Sequence, residues 1–148
     1  MKIKSINNTE YYEITDVSGL DPIHVILREY EPGQGRIIIY CFGLTLSYYW
    51  GSMSKDLKSF FIDASTGYIC QKFINNIKAD ISFETYVWDH GNDEMIETDD
   101  VQVEISKKAK EYICHIIEAV KDAFRQIMEE NKQREEILKV FDNVEIKL

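Results

Sequence analysis

Between Glu10 and Trp50 the chain runs through four β-rich segments whose connections are too short for a strand to return parallel to its neighbour. A parallel crossover needs about a dozen residues or more, so these segments are constrained to pair antiparallel. EYYEITDV, Glu10 to Val17, alternates in part and meets turn signals at Gly19 and Asp21-Pro22. In IHVILREY, Ile23 to Tyr30, the residues Ile23, Val25 and Leu27 share one face, with His24, Ile26, Arg28 and Tyr30 on the other. EPGQG, Glu31 to Gly35, reads as a hairpin loop whose glycines accept positive φ. RIIIYCF, Arg36 to Phe42, and LTLSYYW, Leu44 to Trp50, flank a tight turn or bulge at Gly43. In the last segment Leu44, Leu46, Tyr48 and Trp50 point one way, toward a core, and Thr45, Ser47 and Tyr49 point outward. The expectation is a four-stranded antiparallel meander with one sealed face.

The pattern changes to helical spacing after Gly51. Ser54 is placed as an N-cap for a helix carrying Leu57, Phe60 and Phe61. Asp63 or Ser65 caps a second short helix with Ile69, Cys70, Phe73 and Ile74, and both need the sheet to pack on. Residues 77–88 carry the β-favouring Ile81, Phe83 and Tyr86 and read as a further strand. DHGNDEMIETDD, Asp89 to Asp100, has six acidic residues in twelve and no basic one, which marks an exposed loop. VQVEI, Val101 to Ile105, reads as a short edge strand. Ser106 then caps the strongest helix, in which Ala109, Tyr112, Ile113, Ile116, Val120, Phe124 and Ile127 recur at intervals of three and four. It is expected to end near Glu130, followed by a helical extension or a second helix and a tail. The fold class is therefore α+β, an antiparallel sheet covered on one face by a long C-terminal helix and two short ones. Residues 1–148 form a single domain, with 1–9 and 142–148 as flexible termini. Leu44, Leu46, Tyr48, Trp50, Phe60, Ile113, Ile116, Val120 and Phe124 are expected in the core.

A chain of 148 residues buries roughly 70% of its unfolded surface without help from disulfides or metals. Its net charge of −9 repels a phosphate backbone at long range, so sequence-independent duplex binding is disfavoured. The three cysteines, Cys41, Cys70 and Cys114, are odd in number, widely spaced and set among apolar neighbours. They match core residues better than a disulfide framework or a metal knuckle. The N-terminus lacks the apolar region of a secretory signal, and no stretch approaches the roughly 18 apolar residues of a membrane span. A reducing cytoplasm is the expected compartment.

Chemical motifs are sparse. Gly33-Gln34-Gly35 follows a strand but opens another strand rather than a helix, so it is a hairpin turn and not a phosphate loop. Asp89, His90, Asp93 and Glu94 lack the alternation of a calcium loop. His24, His90 and His115 belong to no recognisable catalytic motif, and Cys114 and His115, adjacent on a helix, diverge by about 100°. Neither cofactor nor metal is expected. Tyr48, Tyr49 and Trp50 suit base stacking, but residues 37–54 contain no Lys or Arg to hold the backbone.

The succession GRIIIYCFGLTLSYYWGSM, LKSFFIDASTGYICQKF and KKAKEYICHIIEAVKDAF resembles a family of small accessory proteins from bacteriophages and prophages. Gly35, Arg36, Gly43, Tyr49, Trp50, Gly51, Met53, Phe60, Phe61, Tyr68, Ile69, Phe73, Tyr112, Ile116, Ala119, Val120 and Ala123 carry the resemblance. It implies provenance and fold more than activity. Small acidic phage proteins are modulators of host machinery more often than metabolic enzymes. The resemblance thus implies a non-enzymatic protein that binds a host or phage protein, with inhibition of a host defence system as its finer form. On that reading Asp89, Asp93, Glu94, Glu97, Asp99 and Asp100 steer a partner bearing a basic patch, and Tyr40 and Tyr49 anchor it. Two other readings stand beside it: a nucleic-acid-associated protein using the aromatic strand, and a small-ligand binder. Pairing into a homodimer, through edge strands or the far side of the long helix, is left open by the sequence.

Overall fold

The computed structural model describes residues 1–90 and 104–143, with residues 80–90 described by their backbone alone. Four strands, β1 (Thr9–Ile14), β2 (Ile23–Glu31), β3 (Gln34–Cys41) and β4 (Leu44–Trp50), form one antiparallel sheet in the order β1-β2-β3-β4. The register is set by pairs such as Val25 with Ile39 and Ile39 with Leu46. Because side chains alternate along each strand, that register puts Ile23, Val25, Leu27, Ile37, Ile39, Cys41, Leu46 and Trp50 on one face, and all eight are buried. The expected meander and its sealed face are what the chain builds.

Two of the three strand connections are two-residue turns. Phe42 and Gly43 both take left-handed backbone, φ 43° and 79°, which is the two-residue turn that follows the natural twist of the strands. Phe42 is therefore a turn residue, 84% exposed, and β3 ends one position earlier than the sequence suggests. Gly33 sits at φ 78° in the β2–β3 turn, and its carbonyl accepts a 2.7 Å bond from the Met53 amide. A side chain there would place its Cβ 2.3 Å from the Met53 carbonyl oxygen, so only glycine lets the hairpin lie against the chain leaving β4.

Three helices follow: α1 (Leu57–Asp63), α2 (Thr66–His90) and α3 (Lys107–Asp142). The α1 cap is Asp56 rather than Ser54: its carboxylate accepts from the Ser59 amide at 3.2 Å. At α2 the Ser65 hydroxyl accepts from the Tyr68 amide at 3.2 Å, and at α3 Ser106 accepts from Ala109 at 3.1 Å. The second helix is not short. It runs for 25 residues and takes in the whole of 77–88, where a strand was expected. Ile69, Phe73, Ile74 and Ile77 continue at intervals of three and four, and no Gly or Pro interrupts the chain between Gly67 and Gly91. Continuous helical phase thus overrides the local β-preference of Ile81, Phe83 and Tyr86. Helix α3 also continues past Glu130 to Asp142, 36 residues in all, so the extension is part of the same helix. Of the edge strand expected over 101–105, Glu104 and Ile105 are without regular structure and the rest lies outside the described residues.

The helices seal the apolar sheet face. Leu57, Phe61, Ile69, Phe73, Ile74, Ile113, Ile116, Ile117, Val120 and Phe124 are buried with it in one core. Phe61 meets Phe124 edge-to-face, with ring centroids 5.5 Å apart, so α1 and α3 are locked through an aromatic pair. Of the core residues expected from sequence, Leu46, Trp50, Ile113, Ile116, Val120 and Phe124 are buried, and Leu44, Tyr48 and Phe60 pack half-buried at its edge. Lys121 is the one charged residue among the buried side chains described. Its ammonium donates to the Ala64 carbonyl that ends α1, and burial pushes its pKa down. It joins α3 to the α1–α2 corner by satisfying a carbonyl that the short helix leaves open.

Ile116, fully buried, should cost about 2–5 kcal/mol when cut to Ala, read as a lowered urea midpoint at unchanged slope. Gly33→Ala should cost about 1–3 kcal/mol or more, while Gly43→Asn should stay within about 0.5 kcal/mol. The contrast arises because both positions have positive φ but only Gly33 faces backbone.

Candidate functional site

The other face of the sheet carries the residues of opposite parity. Register aligns Glu13, His24, Tyr40 and Thr45 in one row across the strands. Tyr11, Ile26, Ile38 and Ser47 form the next row, and Thr9, Arg28, Arg36 and Tyr49 the third. Tyr30 adds to the last row at the β2 bulge. The core that the helices build lies behind the opposite face, and this one stays open: Tyr40 is 36% exposed and Tyr49 41%.

Its aromatic rings are organised by each other. Tyr11, His24 and Tyr40 stack in series, with centroid distances of 5.8 and 4.5 Å and interplanar angles of 12° and 7°. The Tyr11 hydroxyl lies 2.5 Å from His24 Nδ1 and 3.3 Å from the Tyr40 hydroxyl. That second bond, followed by burial, raises the Tyr11 phenol above its ordinary value. Tyr30 and Tyr49 meet edge-to-face at 5.8 Å. The Arg28 guanidinium lies 4.4 Å above the Tyr30 ring and that of Arg36 5.7 Å above Tyr49.

These two arginines have no carboxylate partner among the described residues. The ion pairs there are Lys55 with Asp63, Lys58 with Glu10 and Arg125 with Asp122. Arg28 Nε is moreover buried without a hydrogen-bond acceptor. In a chain with 26 acidic and 17 basic residues, two adjacent arginines left without a carboxylate make this face locally cationic against an anionic background.

A concavity lies at the β1–β2 edge beside α1, with a volume of about 510 Å³ and mixed walls in which Asn7, Asn8, Glu10, Glu29, Asp56 and Lys58 stand beside Leu27 and Leu57. Its carboxylates are already engaged. Glu29 accepts from the Leu57 amide at 2.6 Å, Asp56 caps α1, and Glu10 pairs with Lys58 at 2.6 Å and accepts from Tyr12 at 2.6 Å. Burial alone would raise the Glu10 carboxyl, but the Lys58 ammonium and the Tyr12 hydroxyl outweigh it and hold it below its ordinary value of 4.5. Burial likewise opposes, and the Ser59 bonds outweigh, at Asp56, which also sits low. Lys58 is raised, the pull of Glu10 exceeding its own burial. This edge fastens α1 to β1 and β2; its groups have structural partners and no free base.

Of the site residues expected from sequence, Tyr40 and Tyr49 stand on the open face. Asp89 lies in the last turn of α2 and not in a loop, because the helix persists to His90. Asp93, Glu94, Glu97, Asp99 and Asp100 lie outside the described residues. Among the described residues no three His, Cys, Asp or Glu side chains gather as metal ligands, and no helix is long and apolar enough to cross a membrane. The residues that sequence reasoning left out of the site are Tyr11, His24, Arg28, Tyr30 and Arg36. Their parity within the strands was readable, but only the cross-strand register sets Arg28 beside Arg36 and both beside Tyr49.

Residues 1–146 match the model of a phage family, Phage_phiTE_072. The chain belongs to that family. No curated protein and no solved structure matches it. The phage origin implied by the sequence resemblance therefore holds over nearly the whole of this phage-family protein.

The carboxylates at the α1 edge set a pH dependence. Glu10 and Asp56 are depressed, so their stabilisation is complete above their ordinary values of 4.5 and 3.8 and is lost as pH falls through the lower folded values. Lys58 is raised, so its share is complete below 10.5 and is lost at higher pH. Lys58→Met should flatten the acid limb: its urea midpoint should fall less than the parent's between about pH 5 and pH 3.

Proposed function

We propose that this phage-family protein is a non-enzymatic accessory protein that acts by binding another protein through the open face of its sheet. The observation that supports it is the concentration there of Tyr11, Tyr30, Tyr40 and Tyr49 with Arg28 and Arg36. Tyrosine and arginine are the residue types that dominate the energetics of protein interfaces. Rings that hold one another lose little freedom on docking, which lowers the entropic cost of association. The cationic pair favours a partner that presents carboxylates to this face. Asp93, Glu94, Glu97, Asp99 and Asp100 keep their proposed role as a separate anionic segment that steers a basic region of the partner. The finer reading, an inhibitor of a host defence system, rests on phage provenance and on no particular residue.

The small-ligand reading draws nothing from the edge cavity, whose carboxylates have internal partners. The nucleic-acid reading gains from the arginines, which supply the cations missing from the aromatic strand itself. It is outweighed by two observations. The net charge of −9 opposes approach of a phosphate chain. The stacked arrangement of Tyr11, His24 and Tyr40 sets ring against ring instead of presenting separate flat platforms to bases.

A photo-crosslinking residue placed at Tyr49 or Tyr40 should capture a protein in host cells, whereas one at Lys132, on exposed α3, should not. Arg28→Glu with Arg36→Glu should reduce the adduct about 30-fold or more, the scale of an interface hot spot. Equal capture from all three positions, or adducts removed by nuclease, would count against this reading.

A further inference from the structure

The three thiols of this chain are not equivalent, and the packing of α2 on α3 sorts them. The two helices run antiparallel: the Ala64 carbonyl before α2 meets Lys121 and the Thr66 hydroxyl meets Glu118, so the same register, one turn further along α2 and one turn back along α3, sets Cys70 opposite Cys114. Axes of packed helices lie about 8–10 Å apart and Cα atoms about 2.3 Å from each axis. Facing positions therefore approach within about 3.5–5.5 Å, which overlaps the Cα separation a disulfide spans. Cys41 is held elsewhere, with its Sγ 3.5 Å from both the Tyr112 hydroxyl and the Asp21 carbonyl. Tyr112 and Cys114 are two residues apart and so point about 200° apart around α3. Cys41 and Cys70 thus touch opposite sides of the same helix.

From this placement we infer that Cys70 and Cys114 are an oxidisable pair that closes a disulfide between α2 and α3, while Cys41 remains a thiol. The oxidant is a small-molecule disulfide. Cys114 is half-buried and Cys70 buried, so Cys114 reacts first. Its thiolate attacks one sulfur of the oxidant and expels one thiolate, leaving a mixed disulfide. Cys70 then gives up its proton, attacks the Cys114 sulfur and expels the second thiolate. Two protein thiols are oxidised to one disulfide, and one oxidant disulfide is reduced to two thiols. Burial, then the neighbouring Cys114 thiol, push Cys70 up to about 11. Cys70 is thus protonated at neutral pH and serves as the resolving thiol, not as the first nucleophile. Once closed, the bond ties α2 to α3 on either side of the segment that carries Asp93 to Asp100, the same acidic segment proposed to steer a partner.

The test is equilibration of the native full-length protein with oxidised glutathione, followed by intact-mass measurement and peptide mapping after blocking free thiols. The expected product has lost two hydrogens, links the Cys70 and Cys114 peptides and leaves Cys41 blockable only after denaturation. Its thermal midpoint should rise by several degrees and return on reduction. Cys70→Ser should stop at a single glutathione adduct on Cys114, and Cys114→Ser should form neither adduct nor bond while keeping its helical circular dichroism. Three blockable thiols after oxidation, a stable adduct on unmodified protein, or a bond to Cys41 would each overturn the inference.

Discussion

Everything in this molecule follows from the burial of one sheet face. Val25, Ile37 and Ile39 have no solvent exposure, and neither do the helix residues Phe61, Phe73, Ile116 and Phe124 that cover them. The sheet is a meander in which each strand pairs with its sequence neighbour, so its local connections are cheap to close. Alternation then leaves no freedom: once Val25 and Ile39 are inside, His24 and Tyr40 must be outside. The working face is the necessary complement of the core, and its composition is free to answer to something other than stability.

That composition is informative because it departs from what an idle surface needs. A solvated sheet face is satisfied by Thr, Ser, Lys and Glu. Here Tyr11, His24 and Tyr40 are stacked, and Tyr30 and Tyr49 are met by arginines. The guanidinium planes are restrained by the rings beneath them, and Arg28 Nε is already withdrawn from water without an acceptor. The cost of desolvating and orienting these groups is partly met before any partner arrives, so a carboxylate docking on them forgoes less than it would on free surface arginines.

How much of this was legible in the sequence depends on the length scale of each signal. The strands, their order, the inward set from Leu46 to Trp50 and the Ser106 cap lie within single windows of a few residues, and the sequence carried them. Tyr40 and Tyr49 could be placed outside by parity alone. Arg28 beside Arg36 could not: they are eight residues apart across a hairpin, and a shift of one residue in register would separate them. Residues 37–54 hold no Lys or Arg along the chain, whereas the face is assembled across it. The strand expected at 77–88 failed for the opposite reason. Ile81, Phe83 and Tyr86 carry a local preference of a fraction of a kcal/mol each, too little to break a helix already nucleated and packed through Ile69, Phe73 and Ile74.

The same cooperativity explains why α3 does not stop where its apolar stripe does. From Met128 to Asp142 every residue is exposed, and Ile137, Leu138, Val140 and Phe141 contribute nothing to the core. An isolated fifteen-residue helix of this kind would be marginal, because most of its cost lies in forming the first turn. Here that turn is supplied by the buried part of α3, anchored through Ile116, Val120 and Phe124. Propagation through Glu129, Glu130, Lys132, Gln133, Arg134, Glu135 and Glu136, all good helix formers, then needs no further contact. The helix thus ends where propensity ends and not where packing does. Hydrophobic periodicity, which fades near Glu130, marks the extent of the core, whereas the backbone answers to nucleation.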